Sequence, residues 1–337
     1  MRIVSLFVSS AVLSACTSGV ERTAALQAAF DVIDAEYRSF EVHTADLAAT
    51  SQGVCDDITA ERVAAIQDAW WASRGTYKRA DMAGFGPVVE QPDRLGPLID
   101  FWPARSVAVD ELIASDAALD AEAFSTLGAA TRGLPSIEYV LYQPDVVESW
   151  VNVPRNCTFV RAATEDVHAS AVALVIAWNL WEDRLVLPDG EPYAAEQDVL
   201  NEWANRVAFA AEDIRLEKLA APMGMGGDDI RPDALESRYS RRSVQDAVDT
   251  LDGAHLVLLA VLPLADDPEL VSRAEQVYSL ARARLLDISE PAETTMAIEP
   301  EIVERAQQAV QAYQVLVQVD IAQALSVTVV FNDNDGD

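Results

Sequence analysis

The sequence predicts an all-α fold made of two helical-bundle halves packed side by side. Half of the 337 residues are apolar and only 14 are glycine. This composition can supply a large core and favours helix over strand. Apolar residues recur at intervals of three and four through most of the chain, which is the spacing of amphipathic helices. The one β-like run, residues 327–331, is too short to change the class.

The N-terminal half is predicted to span residues 24–187. A loop rich in glycine and proline at 84–97 and an irregular stretch at 143–156 interrupt its helical pattern. The predicted helices of this half are 24–50, 57–83, 103–115, 122–131, one that starts near 133, and 157–187.

The C-terminal half, residues 188–337, starts at a Pro-Asp-Gly turn and ends in an acidic tail. Its long loop at 221–243 is of a length typical of functional segments. Both halves consist of long helices divided by a Gly/Pro-rich loop. That shared plan suggests an internal duplication, although no strong sequence repeat is visible. The predicted helices of this half are 194–219, 244–262, 268–288 and 300–327.

The N-terminus has the features of an export signal. Arg2 precedes an apolar stretch that is shorter than a membrane span and ends in "LSAC". "LSAC" resembles a bacterial lipobox. The resemblance implies a lipoprotein signal peptide at 1–15, a lipid on Cys16 and a tether at 16–23. Thr17 then favours the periplasmic face of the outer membrane over the inner membrane. The alternatives are an ordinary secretory signal or a stray cysteine.

Two further cysteines, Cys55 and Cys157, remain after the predicted lipidation site. An exported compartment permits disulfides, and an even number of cysteines fits one bridge. We therefore predict that these two pair with each other. The alternative is two free, buried thiols.

The charge balance limits the classes of partner. With 24 basic and 55 acidic residues, the formal net charge is −31. Such a chain repels nucleic acid and anionic headgroups, and it tolerates cationic ligands or metal ions near its surface. We expect no nucleic-acid partner, and contact with the membrane only through the lipid on Cys16.

The segment "RGLPSIEYVLY" places one acid, Glu138, on an apolar helical stripe. Pro135 suits the first turn of a helix, and Glu138 lies on the same face as Leu134 and Leu141. Glu138 could favour the positive end of the helix dipole, or pair with a buried arginine such as Arg74 or Arg105. It could also act as a metal ligand or a general base in a cleft.

Other residues could form a pocket with Glu138. Arg74 lies on one helical face with tryptophan and tyrosine, a face that suits either a polar pocket or core packing. Trp102 could form a wall and Arg105 could reach the same place. In the second half, Glu236 and Ser240 could face Glu138 across the two halves.

Several segments resemble the imelysin-like family, which consists of bacterial exported proteins grouped with the M75 peptidases. "GLPSIEYVLY" is similar to the family's Gly-x-His-x-x-Glu signature, and the resemblance extends over roughly residues 21–337. The family implies an exported helical protein, a peptidase label, and for some members a link to iron acquisition. The segments that carry the resemblance are "AWWASRGTY", "FGP", "FWPARS", "RNCTFVRAATEDV", "LEKLAAPMG", "ESRYSRRS" and "FNDNDGD".

One departure from the family signature decides the functional prediction. Pro135 stands where the signature has histidine, and proline offers no lone pair to a metal. The three histidines of the chain have no His-x-x-Glu or His-Glu-x-x-His spacing, and no nucleophile elbow is present. The sequence therefore names no catalytic set, and Glu138 is the one candidate for a catalytic residue. A divalent or ferric ion is a possible cofactor, but the sequence does not identify it.

Three functions follow from these observations. We favour a non-catalytic accessory that binds a ligand or metal, anchored in the envelope and working with an iron-uptake or envelope partner. The first alternative is a metallopeptidase of the imelysin type. The second is a structural or interaction lipoprotein in which Glu138 only stabilises the fold.

Overall fold

The computed structural model describes residues 9–224 and 229–330, with side chains from residue 21 onward. All regular structure in these ranges is helical, which confirms the predicted all-α class. Two π-helical segments, Ile214–Ala220 and Leu316–Ile321, continue α10 and α14. The α-helices are α1 Ser9–Ser51, α2 Ala60–Ala80, α3 Gly96–Ile99, α4 Ser106–Ala114, α5 Ala121–Ser125, α6 Gly133–Leu141, α7 Val146–Asn152, α8 Arg155–Asn179, α9 Glu182–Val186, α10 Glu196–Asp213, α11 Ser243–Val261, α12 Pro268–Leu286, α13 Ala292–Ile298, α14 Pro300–Val315 and α15 Ala322–Ala324.

The structure differs from the predicted helices mainly in the short elements. The stretch predicted to be irregular at 143–156 contains α7, which is short but buries Trp150 completely. The predicted helix at 157–187 is divided into α8 and α9. The helix α13 lies in a segment with no predicted element. Tertiary burial stabilises helices this short, whereas their few residues give little periodicity to detect.

Parts of the two chain ends lie outside the residues that the structure describes. The segment predicted to be the tether, 16–23, lies within α1. Residues 1–8, the side chain of Cys16 and the acidic tail at 331–337 are outside the described part. Lipid anchoring therefore stays a prediction.

One hydrophobic core extends through both predicted halves. The helix α1 packs against α2 and α8 of its own half and against α11 of the other. Trp178 on α8 is fully buried and stacks with Phe30 of α1, their ring centroids 5.6 Å apart. It also contacts Trp203 on α10 at 6.3 Å, across the predicted boundary at 187/188. The halves are therefore packed side by side on shared aromatic residues.

A disulfide joins Cys55 to Cys157, as predicted. It connects the turn before α2 to the first turn of α8, across a sequence separation of 102 residues. The bridge therefore closes a large loop of the N-terminal half, which restricts the unfolded chain.

The helix α11 packs against α1 and α2 of the N-terminal half and against α10 and α12 of its own half. The segment Ser243–Ala265 is the one described stretch long and apolar enough to cross a membrane, and 67% of its most apolar window is buried in the protein. Burial in the core accounts for its apolar character. Two of its acidic residues, Asp246 and Asp249, lie inside the protein.

Two glycines allow α2 and α11 to cross at unusually close range. A Cβ atom on Gly253 would lie 1.7 Å from the main-chain oxygen of Arg79, and one on Gly75 would lie 2.6 Å from Arg242. Neither contact leaves room for a side chain. The close crossing brings the charged face of α2 directly onto α11.

Replacement of Gly253 by alanine should separate α2 from α11. Because the new methyl group would meet rigid main chain, we expect the free energy of unfolding to fall by about 3 kcal/mol, the upper end of the usual cost of overpacking. Chemical denaturation measures this loss. Gly190→Ala is the matched control, since no atom lies within 4 Å of its added Cβ. Equal stabilities of the two variants would contradict the close crossing.

Candidate functional site

A network of buried charges links the two halves, with Arg74 of α2 at its centre. The Arg74 side chain is 1% exposed. Its guanidinium group donates to Glu236 at 2.7 Å, to Asp246 of α11 at 3.0 Å and to Asp100. All three acceptors are carboxylates, and two of them belong to the C-terminal half. Arg74 therefore connects α2 to the other half through charge-assisted hydrogen bonds.

Two lysines extend the network around Glu236. Lys78, one turn after Arg74, lies 2.7 Å from Glu236 and 2.9 Å from Asp100. Lys218 donates to Glu236 at 2.6 Å. Burial disfavours the charged form of Glu236, but Lys218, Lys78 and Arg74 outweigh burial and hold its pKa well below the usual range.

Arg242 fixes the end of the long loop to α11. It contacts Asp246 and lies 2.6 Å from Asp249, and its guanidinium group covers the ring of Trp71 at 4.9 Å. Ser237 donates to Asp246 at 2.6 Å. These contacts hold residues 236–242 against α2 and α11.

The loop contacts bring Ser240 onto Glu138 of α6. The main-chain N–H and the hydroxyl of Ser240 both donate to Oε1 of Glu138, each at 2.8 Å. The other carboxylate oxygen, Oε2, accepts no hydrogen bond from a described residue. Glu138 is 4% exposed. Burial raises its pKa to about 7, although Ser240 and Arg74 favour the ionised form.

The backbone around Gly133 sets the position of α6. Gly133 has φ +79°, and a Cβ there would lie 2.4 Å from the main-chain oxygen of Ile99. Glycine is therefore required both by the turn and by the close approach. Leu134 and Ile137 are fully buried beside Glu138, which confirms that the acid shares the inward-facing stripe.

Two cavities open at this junction, on either side of Trp102. The smaller has a volume of about 320 Å³, and Glu138, Pro135, Trp102, Tyr139 and Tyr239 are among its lining residues. The larger has a volume of about 730 Å³ and is lined mainly by residues of the charged network and by α10. Cavities of this size suit small ligands.

The sequence-predicted site residues are brought together only in part. Ser240 contacts Glu138 across the halves, and Trp102 lines both cavities. Pairing of Glu138 with Arg74 is wrong, since Arg74 binds three other carboxylates. Pairing with Arg105 is also wrong, because that side chain is exposed and forms no ion pair with a described residue. Glu236 joins the charged network and does not bond Glu138.

The described residues offer no ready metal centre. Over 9–224 and 229–330, no group of three or more His, Cys, Asp or Glu side chains is placed to hold one ion. His43 lies on α1, His168 contacts Thr44, and His255 stacks on Tyr278 at 3.8 Å. None of these histidines lines either cavity.

The family model for imelysin, grouped as peptidase M75, matches residues 33–320. The chain belongs to the imelysin family. The match covers most of the sequence and both halves of the fold. No curated protein matches the chain significantly.

Two solved structures share the imelysin fold with this chain. An imelysin-like protein from Psychrobacter arcticum 273-4 has a TM-score of 0.79 at 19% identity, covering 98% of this chain and 100% of the other. An iron-regulated protein A precursor from Parabacteroides distasonis ATCC 8503 has a TM-score of 0.77 at 16% identity, covering 91% and 94%. At these identities the likeness establishes the fold alone.

Sequence reasoning missed most of the ion network of this imelysin. Lys78 follows Arg74 by one turn on a helix that buries Trp70, and Asp246 and Asp249 interrupt the apolar helix α11. Charged residues on an apolar helical face are the signal that could have identified them, because unpaired charges are rarely buried. Tyr139 and Tyr239 had no comparable signal.

Replacing Arg74 with methionine should strongly destabilise the protein. The change leaves Asp100, Glu236 and Asp246 buried with fewer cations, and breaking a buried ion pair costs about 3–5 kcal/mol. The control is Arg38→Met, which removes an ion pair to Asp34 from an arginine that is 54% exposed. We expect the control to lose less than about 1 kcal/mol in denaturant unfolding. Similar losses in both variants would contradict the proposed role of Arg74.

Proposed function

We propose that this imelysin is a non-catalytic, ligand-binding accessory whose binding site is the cleft between its two halves. The observation that carries the proposal is Glu138. It is buried, Ser240 holds one of its oxygens, and its other oxygen has no described partner beside a cavity of about 320 Å³. A fixed carboxylate with one free oxygen in a cavity is suited to orienting a ligand.

The donor set disfavours the metallopeptidase alternative. A catalytic zinc usually has three protein ligands and a water molecule. Besides Glu138, the described lining of the smaller cavity has one other carboxylate, the exposed Asp233, which pairs with Arg238, and it has no histidine or cysteine to complete such a set. Pro135, at the signature position for histidine, lines the same cavity without a donor atom. A metal ion could bind there only with most of its ligands supplied from outside the protein.

The cellular context of the proposal rests on the N-terminus and on one neighbour. Export and lipidation at Cys16 would hold the protein at the periplasmic face of the envelope, with the outer membrane favoured. The Parabacteroides neighbour is named as iron-regulated. We propose a related context here, in which the ligand bound in the cleft serves iron acquisition through an envelope partner.

A binding role and a purely structural role of Glu138 make different predictions. A screen of small metabolites and simple metal salts by thermal shift should find compounds that stabilise the wild type but not Glu138→Gln. The matched control is Glu290→Gln. Glu290 is a half-buried carboxylate whose two oxygens each accept a hydrogen bond from a main-chain N–H group, and it lines neither cavity. This control should respond like the wild type.

Two outcomes would overturn the proposal. Chelator-sensitive cleavage of an unstructured polypeptide, lost in Glu138→Ala, would establish the peptidase. If no compound in the screen distinguishes Glu138→Gln from Glu290→Gln, then the structural alternative is correct.

A further inference from the structure

Glu138 differs from the other buried carboxylates of the described chain in having no cationic partner. Besides Asp100, whose buried side chain pairs with Arg74 and Lys78, four others are buried, and each forms an ion pair with at least one arginine or lysine. No arginine or lysine of the described residues lies within ion-pair distance of Glu138. The paired carboxylates are Asp166, Glu236, Asp246 and Asp249.

The cavity beside Glu138 has aromatic walls. Tyr139 and Tyr239 meet edge to face, with ring centroids 5.4 Å apart, and Trp102 contributes a side chain that is 37% exposed. Aromatic faces attract cations through their quadrupoles, and tryptophan does so most strongly. The aromatic walls therefore favour a positively charged group, which is the kind of partner that Glu138 lacks.

Among the described residues that line the cavity, Arg238 is the one cation, and it already has partners. Arg238 covers the ring of Tyr239 at 4.7 Å and forms an ion pair with the exposed Asp233. It makes no contact with Glu138. Its guanidinium group also donates to the Tyr239 hydroxyl at 3.0 Å, so this ring already makes one contact with a cation.

We propose that the Glu138 cavity binds an organic cation of the alkylammonium class. The positive group would lie against Glu138 Oε2 and the rings of Trp102, Tyr139 and Tyr239. This inference rests on the proposed ligand-binding function and specifies the chemistry of its ligand. The ligand would supply the positive charge that the protein supplies to every other buried carboxylate of the described chain.

Other ligand classes fit the cavity less well. A bare metal ion would find two carboxylates among the lining residues, Glu138 and the exposed Asp233, which already pairs with Arg238, and no third described His, Cys, Asp or Glu joins them. An anion would meet Glu138 and Asp233 and would approach a chain of formal charge −31. The same net charge raises the local concentration of cations and speeds their encounter with the cleft.

Choline and its neutral carbon isostere, 3,3-dimethylbutan-1-ol, test the charge requirement directly. The two probes have nearly the same shape and differ in the charge of the quaternary centre. Calorimetry at pH 8 should show that the full-length protein binds choline at least about tenfold more tightly than the isostere. Equal or weaker binding of choline would overturn the inference.

Variants then locate the site. Glu138→Gln should weaken choline binding at least about tenfold while it leaves the isostere unchanged, because only the charge of the side chain is removed. Trp102→Ala should weaken choline as well, and Glu290→Gln should change neither probe. Unchanged choline binding in Glu138→Gln would place the cation elsewhere and contradict the proposal.

The results also separate this inference from the proposed function. If an anion or a neutral compound binds in a Glu138-dependent way and choline does not, the ligand class is wrong but the binding function stands. If no compound of any class responds to Glu138→Gln, both proposals fail.

Discussion

Arg74 carries a full positive charge into a part of the core that has almost no contact with solvent. A buried guanidinium group is stable only when carboxylates surround it, and here three do so from three separate segments. One is Asp246 on α11, and another is Glu236 in the long loop. The position of this loop relative to α2 and α6 therefore depends on Arg74 and its partners.

The same constraint explains how Glu138 acquires its environment. Glycines at the crossing of α2 and α11 let the charged face of α2 reach Asp246 and Arg242. Arg242 and Ser237 then hold the loop, and the loop places Ser240 against Glu138. Glu138 receives two hydrogen bonds but no cation, so a neutralising charge must come from a proton or from a ligand. The incomplete neutralisation of Glu138 therefore favours a ligand-binding cleft over a catalytic centre.

The sequence predicts the class and the long helices well, because periodicity over twenty residues is a strong signal. It also predicts the disulfide and the inward direction of Glu138. The partners of Arg74 could not be predicted in the same way, since they lie 26, 162 and 172 residues away. Local pattern carries no information about such distant pairs, and it offers Arg74 or Arg105 only as possible partners of Glu138. Helix α7 was missed because its stability comes from burying Trp150.

Glu138 is a buried carboxylate without a cationic partner among the described residues. The most direct test of this claim is to compare how the free energy of unfolding depends on pH in the wild type and in Glu138→Gln. The groups that influence the pKa of Glu138 are Ser240, Arg74 and Asp246, and Tyr142, directly after α6, interacts with Glu138 electrostatically. In the unfolded chain Glu138 ionises near its ordinary pKa of 4.5, whereas the folded protein holds the proton until about pH 7. The folded state is therefore increasingly disfavoured as pH rises through this window.

Urea unfolding of both proteins between pH 4 and pH 8, without added ligand, measures this difference. The account predicts that the wild type loses roughly 3 kcal/mol relative to Glu138→Gln as pH rises from below 4.5 to above 7. A difference that stays constant, or that favours the wild type as pH rises, would mean that the protein itself neutralises Glu138, and would contradict the account.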